Sequence, residues 1–290
     1  SAVARFRLKN SALTSASTIV RFSSPVNAAL PADLAVTMDG VPANVYVTDG
    51  GGLALNVELA AEGSTELQLT YSLSMPKTAI QAIRYPAALL TNWQQRISMS
   101  VRIQLPESVV AESVVQIAPD DWIFPADAGQ SYAVRWLYDG VPSEQPFSVA
   151  FIQPALWGEI VQARQAAMAG SVSDYLRLGD IYASLLGETT GDLRQSFYAQ
   201  TLAAYNDGIQ HSPDPGLSAD LQQRIAQIYR SQIVNGSGVI NPDYAQLTVN
   251  AVDAALATLA PEDGRRTELL QWRTDALSVL FNEARQRNDW

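Results

Sequence analysis

Cysteine is absent from the 290-residue chain, and histidine occurs once, as His211. The first absence excludes disulfides, thiolate nucleophiles and zinc–cysteine sites. The second excludes multi-histidine metal centres and leaves any Ser-His-Asp triad dependent on one residue. Charge is also scarce: 17% of residues are Asp, Glu, Lys or Arg, against ~25% in an average globular protein. Hydrophobic residues at 47% still suffice for packed cores, so wholesale disorder is excluded. No apolar run approaches the ~18 residues that span a bilayer, and the stretch from Ser1 lacks the basic-then-apolar layout of a signal peptide. A soluble chain is expected, with no insertion of its own into a membrane; an anchor on flanking sequence is compatible with this. Bases are outnumbered 19 to 29, for a net charge of −10 and a pI near 4.6, which opposes a grip on nucleic acid phosphates or anionic lipid.

Proline use changes along the chain. Eleven of the 15 prolines lie at or before Pro154, and Ala155 to Ser212 has none. The hydrophobic period changes at the same place, which sets a boundary there. Residues 1–153 carry 13 acids and nine bases and residues 154–290 carry 16 and 10, so charge does not separate the two parts.

The first part alternates with the period of a strand. Leu53, Leu55, Val57 and Leu59 oppose Ala54, Asn56 and Glu58; Leu67, Leu69, Tyr71 and Leu73 oppose Gln68, Thr70 and Ser72; Ile97, Met99, Val101, Ile103 and Leu105 run up to Pro106. Ala4 to Leu8, Thr18 to Phe22, Val45 to Thr48, Val109 to Ile117, Tyr132 to Tyr138 and Phe147 to Ile152 are further expected strands. Turn signals stand between them at Asp39-Gly40, Gly50 to Gly52 and Asp139-Gly140. Antiparallel sheets that must hide one apolar face make a β-sandwich region. About ten strands exceed one seven-stranded unit of ~100 residues. One elaborated sandwich and two small ones, about 1–78 and 79–153, are both open. The recurrence of Asp39-Gly40-Val41-Pro42 as Asp139-Gly140-Val141-Pro142 would suit two modules.

Ile19-Val20-Arg21-Phe22-Ser23-Ser24-Pro25-Val26, then Val36 to Gly40, Leu53 to Leu59 and Leu67 to Tyr71, resemble the bacterial immunoglobulin-like domains of surface proteins. The resemblance covers about the first quarter of the chain. It implies an extracytoplasmic spacer or binding module, in the periplasm or at the cell surface, with no catalytic residues.

The second part has helical period. Trp157, Ile160, Val161, Arg164 and Met168 share one face, and Gly170 suits a left-handed stop. Five more helices are expected over Ser173 to Leu186, Asp192 to His211, Ser218 to Val234, Pro242 to Ala260 and Asp263 to Arg287, with Ser173, Ser218 and Asn241 as caps. A shift of 47 residues aligns Leu178 with Ile225 and Trp272, Leu186 with Ile233 and Leu280, and Tyr182 with Tyr229. In the intervening helices Phe197 meets Tyr244, Leu202 meets Val249 and Ile209 meets Leu256. The expected fold class is therefore multidomain β plus α: an antiparallel β-sandwich region, then an all-α helical-repeat domain, an α-solenoid, over 154–290.

Tyr175, Leu178, Gly179 and Tyr182, followed by Tyr205 and Pro213, resemble the tetratricopeptide pattern. The 47-residue unit is longer than that family's ~34 residues. The resemblance implies a scaffold that holds a peptide or partner protein on its concave face.

Few constellations suit catalysis. His211, Ser212 and Asp214 share one loop, which does not favour the nucleophile-base-orienter line; a histidine at a helix C-terminus is more simply a dipole partner. Ser74-Met75-Pro76-Lys77 has the S-x-x-K spacing of penicillin-recognising enzymes, but it ends a strand pattern and lacks their other motifs. Asp120, Asp121 and Asp127, beside Trp122, Phe124 and Tyr132, carry the alternative reading of a carbohydrate-active hydrolase, although acids in such turns are ordinary. Calcium between sandwich modules is the metal reading of the same acids, and their spacing fits no EF-hand. Asn235-Gly236-Ser237 matches a glycosylation sequon and is first a turn signal.

The 47-residue columns supply the candidate surface. Arg177, Arg224 and Gln271 form one polar column and Asp180, Gln227 and Thr274 another. In stacked repeats such columns become ladders on one face, where Arg can hold the carboxylate of a bound segment. The expectation is a noncatalytic, extracytoplasmic scaffold that binds a protein or peptide, with no cofactor, no metal and no nucleic acid partner.

Overall fold

The computed structural model describes residues 2–22, 33–48, 53–71, 77–85, 97–124, 132–140, 147–234 and 238–287. Ser23 to Val26, Gly50 to Gly52, Ser72 to Pro76, Asp127, Val141-Pro142 and Asn235 to Ser237, named above, lie outside the described residues. The chain divides into two compact units, Ser1–Pro154 and Ala155–Trp290. Antiparallel sheets make up the first and helices the second.

In the first unit, β1 (Ala2–Lys9), β7 (Ser64–Tyr71), β3 (Ala35–Met38) and β4 (Val41–Pro42) form one sheet in that order. β2 (Ala16–Phe22), β6 (Leu53–Leu59) and β5 (Tyr46–Val47) form a second. Both contribute to one core: Leu8, Val36, Leu67 and Leu69 meet Val20, Leu55, Val57 and Leu59. Alternation places these side chains, since Asn56 and Glu58 between them are exposed. The β3–β4 hairpin turns on Asp39 and Gly40 at φ of 49° and 79°, as the sequence signal required. Asp39 fixes the turn by accepting from the Thr65 hydroxyl at 2.6 Å and from the Glu66 amide at 2.8 Å. These bonds hold its carboxyl below the ordinary carboxylate range.

A second core lies farther along. β8 (Ile80–Tyr85) and β10 (Val114–Ala118) flank β12 (Phe147–Ile152), and β9 (Ile97–Gln104) pairs with β11 (Ala133–Gly140). Trp136, Phe147, Val149 and Phe151 fill the space between, with Trp136 Nε1 donating to the Pro119 carbonyl at 2.8 Å. Such a bond is what a buried indole needs.

Two local expectations are corrected, and one strand, β8, was not expected. Asp139-Gly140 is not a turn: both residues extend β11, opposite Ser98 and Ile97, so the repeated tetrapeptide does not mark equivalent positions. The strand expected from Val109 starts only at Val114, because Pro106 to Val109 form a hydrogen-bonded turn and Ala111–Ser113 a single 3-10 turn. Val109 is apolar because it is buried in the second core. β8 gives no alternation in sequence, since as an edge strand it is half-buried from Ile80 to Ile83.

The second unit contains α1 (Pro154–Met168), α2 (Val172–Leu185), α3 (Gly191–His211), α4 (Pro215–Arg230), α5 (Pro242–Thr258) and α6 (Arg265–Arg287). Gly170 stops α1 at φ +98°. α4 starts three residues before the expected Ser218, because Asp214 caps it through the Gly216 amide at 2.9 Å and Pro215 takes the first helical position. Asn241 caps α5 in the same way, through the Asp243 amide at 3.1 Å. Ser173 lies inside α2, and Ser171 precedes that helix.

Helices that follow one another pack together, α2 with α3, α4 with α5 and α5 with α6, while α4 also touches α2 and α6. The aligned residues Leu178, Ile225 and Trp272 are all buried, as are Leu186 and Ile233. No described helix is long and apolar enough to cross a membrane.

Candidate functional site

His211 ends α3, where its Nδ1 lies 2.7 Å from the Asp207 carbonyl and its ring stacks on Tyr175 at 5.5 Å between centroids. Ser212 donates to the Asp214 carbonyl, and the Asp214 carboxylate is committed to capping α4. The three side chains face separate partners. Asp120 and Asp121 are exposed, and the rings beside them stack edge to face, Trp122 on Phe124 at 4.7 Å and Phe124 on Tyr132 at 5.4 Å. No cluster of three metal-ligating side chains occurs among the described residues.

The polar columns fall along the faces of α2, α4 and α6, and ion pairs tie these helices to one another and to α1. Arg177 on α2 reaches Glu159 on α1 at 3.5 Å. Arg224 on α4 reaches back to Asp180 on α2 at 3.4 Å. Arg230 on α4 reaches Asp275 on α6 at 3.5 Å, with its guanidinium 5.3 Å from the centre of the Trp272 ring. All six charged side chains are roughly half exposed. Asp180 is held from below as well, because the buried Tyr205 hydroxyl of α3 donates to it at 2.7 Å. Burial, and then that carboxylate, push the Tyr205 phenol up from its ordinary value.

Two open grooves lie on this face. One, about 460 Å³, is flanked by Glu159 of α1 and by Leu176, Arg177, Asp180, Ile181 and Ser184 of α2. The other, about 430 Å³, lies between α4 and α6 and is lined by Gln227, Arg230, Ser231, Val234, Asp275 and Val279. No known protein family matches this chain, and no curated protein or solved structure matches it. The site therefore stands on its own geometry.

Of the column residues, Arg177, Asp180 and Arg224 come together around the first groove, and Gln227 lines the second. Gln271 joins the second groove indirectly, by donating to Asp275 at 2.8 Å. Thr274 is not part of either lining, and its hydroxyl donates to the Leu270 carbonyl of its own helix at 2.9 Å. Glu159, Arg230 and Asp275 were not singled out from sequence. Their pairs cross between helices at separations of 18 and 45 residues, which a 47-residue comparison does not register. Ser184 and Ser231 were visible in principle, because they stand 47 residues apart.

Proposed function

We propose that this chain is a noncatalytic binding scaffold whose helical unit presents the face shared by α2, α4 and α6 to a protein or peptide. The supporting observation is that both grooves are open and that they share two aligned positions, Asp180 and Ser184 in one and Gln227 and Ser231 in the other, while α1 completes the first and α6 the second. A stack of repeats offers an extended surface of this kind. The helical unit is read as a divergent tetratricopeptide-like repeat and the β unit as an immunoglobulin-like spacer in an extracytoplasmic setting. The residues from Ile19 to Tyr71 that resemble surface domains support that setting, and the lack of cysteine is compatible with it.

The test is selection of peptides from a random library on the full chain, followed by amide hydrogen exchange of the complex. Protection concentrated in α2, α4 and α6 is expected, together with an affinity change of ~10-fold in the Arg177→Ala/Arg224→Ala double variant, which takes two cations from the face and leaves Glu159 and Asp180 without their partners. Protection confined to other elements, with unchanged affinity in the double variant, overturns the assignment.

A further inference from the structure

The chemistry of the bound segment can be taken further, on the basis of the peptide-binding reading above. The two grooves share a construction that goes beyond their repeated positions. Ser184 donates its hydroxyl proton to the Ile181 carbonyl and Ser231 does the same to the Ile228 carbonyl, both at 2.7 Å. A hydroxyl has one proton, so each serine offers only lone pairs to anything that enters the groove. Glu159 receives one long guanidinium contact at 3.5 Å, and Asp275 one at 3.5 Å together with the Gln271 side-chain amide at 2.8 Å, which leaves acceptor positions open on both, since a carboxylate has about four.

Two of the arginines are more fully tied, while Arg177 has the same single 3.5 Å contact as its partner Glu159. Arg224 is bound to Asp180, and Arg230 is held by both Asp275 and the Trp272 ring. Apolar side chains complete each groove: Leu176 and Ile181 in the first, and Val234 and Val279 in the second. An aliphatic lining with a carboxylate beside it matches one kind of side chain, a long hydrocarbon stem with a cation at its tip. The long-range field agrees. Residues 154–290 carry 16 acids and 10 bases, so approach of a cationic segment is favoured and that of an anionic one opposed.

Spacing follows from the helix order. The three interhelical ion pairs place α1, α2, α4 and α6 side by side, and the grooves are two helix intervals apart, ~16–20 Å at 8–10 Å per packed pair. An extended chain covers that distance in about five or six residues at ~3.3 Å each. Side chains of an extended segment alternate in direction, so two that face the same way are separated by an even number. We propose that the face binds an extended cationic segment that places two Lys or Arg side chains, at i and i+6, one in each groove.

Synthetic dodecapeptides in a Ser/Ala/Thr background provide the probe, with lysines six residues apart, five residues apart, a single lysine, or glutamates in place of both lysines. Titration of the full chain is expected to show the i, i+6 dilysine peptide binding ~10-fold or more tightly than the other three, as expected when a second charged contact is lost. Glu159→Gln with Asp275→Asn, isosteric changes at half-exposed positions, should reduce that affinity ~10-fold without loss of helical ellipticity. A covalent readout is also available. The only lysines of the chain are Lys9 and Lys77, so a carbodiimide that joins peptide amines to carboxylates meets no lysine amine in residues 154–290. Peptide adducts on Glu159 and Asp275 are expected.

Equal affinity for the five- and six-residue spacings, or adducts spread over other acids, overturns the two-groove register. Preferential binding of the diglutamate peptide, abolished by Arg177→Ala/Arg224→Ala, overturns the cationic assignment and leaves the peptide-binding reading standing. Failure of the whole dodecapeptide series, with library-selected ligands insensitive to every one of these four substitutions, overturns both.

Discussion

The ring of Tyr205 on α3 occupies the space where residue 179 on α2 would carry a β-carbon. A Cβ built on Gly179 overlaps the ring, and even its third-nearest atom, Tyr205 Cζ, lies at 2.8 Å. Real β-carbons essentially never approach so closely, so glycine here lets two helices meet. The tyrosine fills the resulting notch, and its hydroxyl reaches Asp180 beside the groove.

Gly179→Ala is therefore expected to destabilise the helical unit by ~1–3 kcal/mol, the range for overpacking a close-packed interior. Gly187→Ala is the matched control, because nothing lies within 4 Å of a β-carbon there, and it should stay within ~0.5 kcal/mol. Urea unfolding followed by helical ellipticity checks both. Equal midpoints for the two variants would show that the notch relaxes freely.

Alkaline pH should loosen the same packing. Burial raises the phenols of Tyr182, Tyr198, Tyr205 and Tyr229 above their ordinary value near 10. A tyrosine raised in the folded state is neutral there while its unfolded counterpart ionises. Its contribution is present in full below pH ~10 and declines as pH rises above that, by up to ~1.4 kcal/mol per pH unit for each such residue. Stability measured between about pH 9 and pH 11 should fall, and Tyr205→Phe should make the fall shallower by about one residue's share. A pH-independent midpoint over that range would contradict the burial of these phenols.

Acid acts at the start of α6. Asp263 accepts from the Arg265 side chain and from the Arg265 amide at 2.9 Å, and these bonds, the side chain's foremost, lower its carboxyl to about 2. A depressed carboxylate contributes stability above its unfolded value near 3.8, and that contribution is lost as pH falls toward about 2. Asp263→Asn should be less stable at neutral pH, and its difference from the unsubstituted chain should vanish between pH 4 and pH 2. Acid titration of helical ellipticity for the two chains is the measurement. A difference that persists at pH 2 would assign the role of Asp263 to geometry instead of charge.

Sequence made some of this legible and hid the rest for identifiable reasons. The division into strands and helices is written in hydrophobic period, and Leu55 to Leu59 show it in its simplest form, with Leu55, Val57 and Leu59 buried and Asn56 and Glu58 exposed. The notch at Gly179 was visible only as part of a motif, because its meaning depends on Tyr205, 26 positions away on another helix. Asp139-Gly140 misled because turn chemistry is local, whereas the ladder with β9 continues through both residues. The columns put Arg177 and Asp180 in separate ladders, and in the structure both line the first groove. They did not reveal the ion pairs: Glu159, the partner of Arg177, belongs to α1, outside the 47-residue register, and Asp180, the partner of Arg224, stands 44 residues from it in the other column.

That pairing leads to an asymmetric outcome at Asp180. Arg224 and Asp180 form a half-exposed pair at 3.4 Å, screened by water, and losing the arginine alone should cost no more than ~1 kcal/mol. Losing the aspartate removes more than the pair, because Tyr205, 1% exposed, then has a hydroxyl without its acceptor. Asp180→Ala should therefore cost ~1–3 kcal/mol, the penalty of an unsatisfied buried donor. Tyr205→Phe in the same chain should recover part of that loss, since the phenylalanine ring still fills the Gly179 notch and brings no donor with it. Urea midpoints of the two single variants and the double variant decide the matter. If Arg224→Ala and Asp180→Ala are equally mild and Tyr205→Phe brings no recovery, the Tyr205–Asp180 bond has no part in holding the groove.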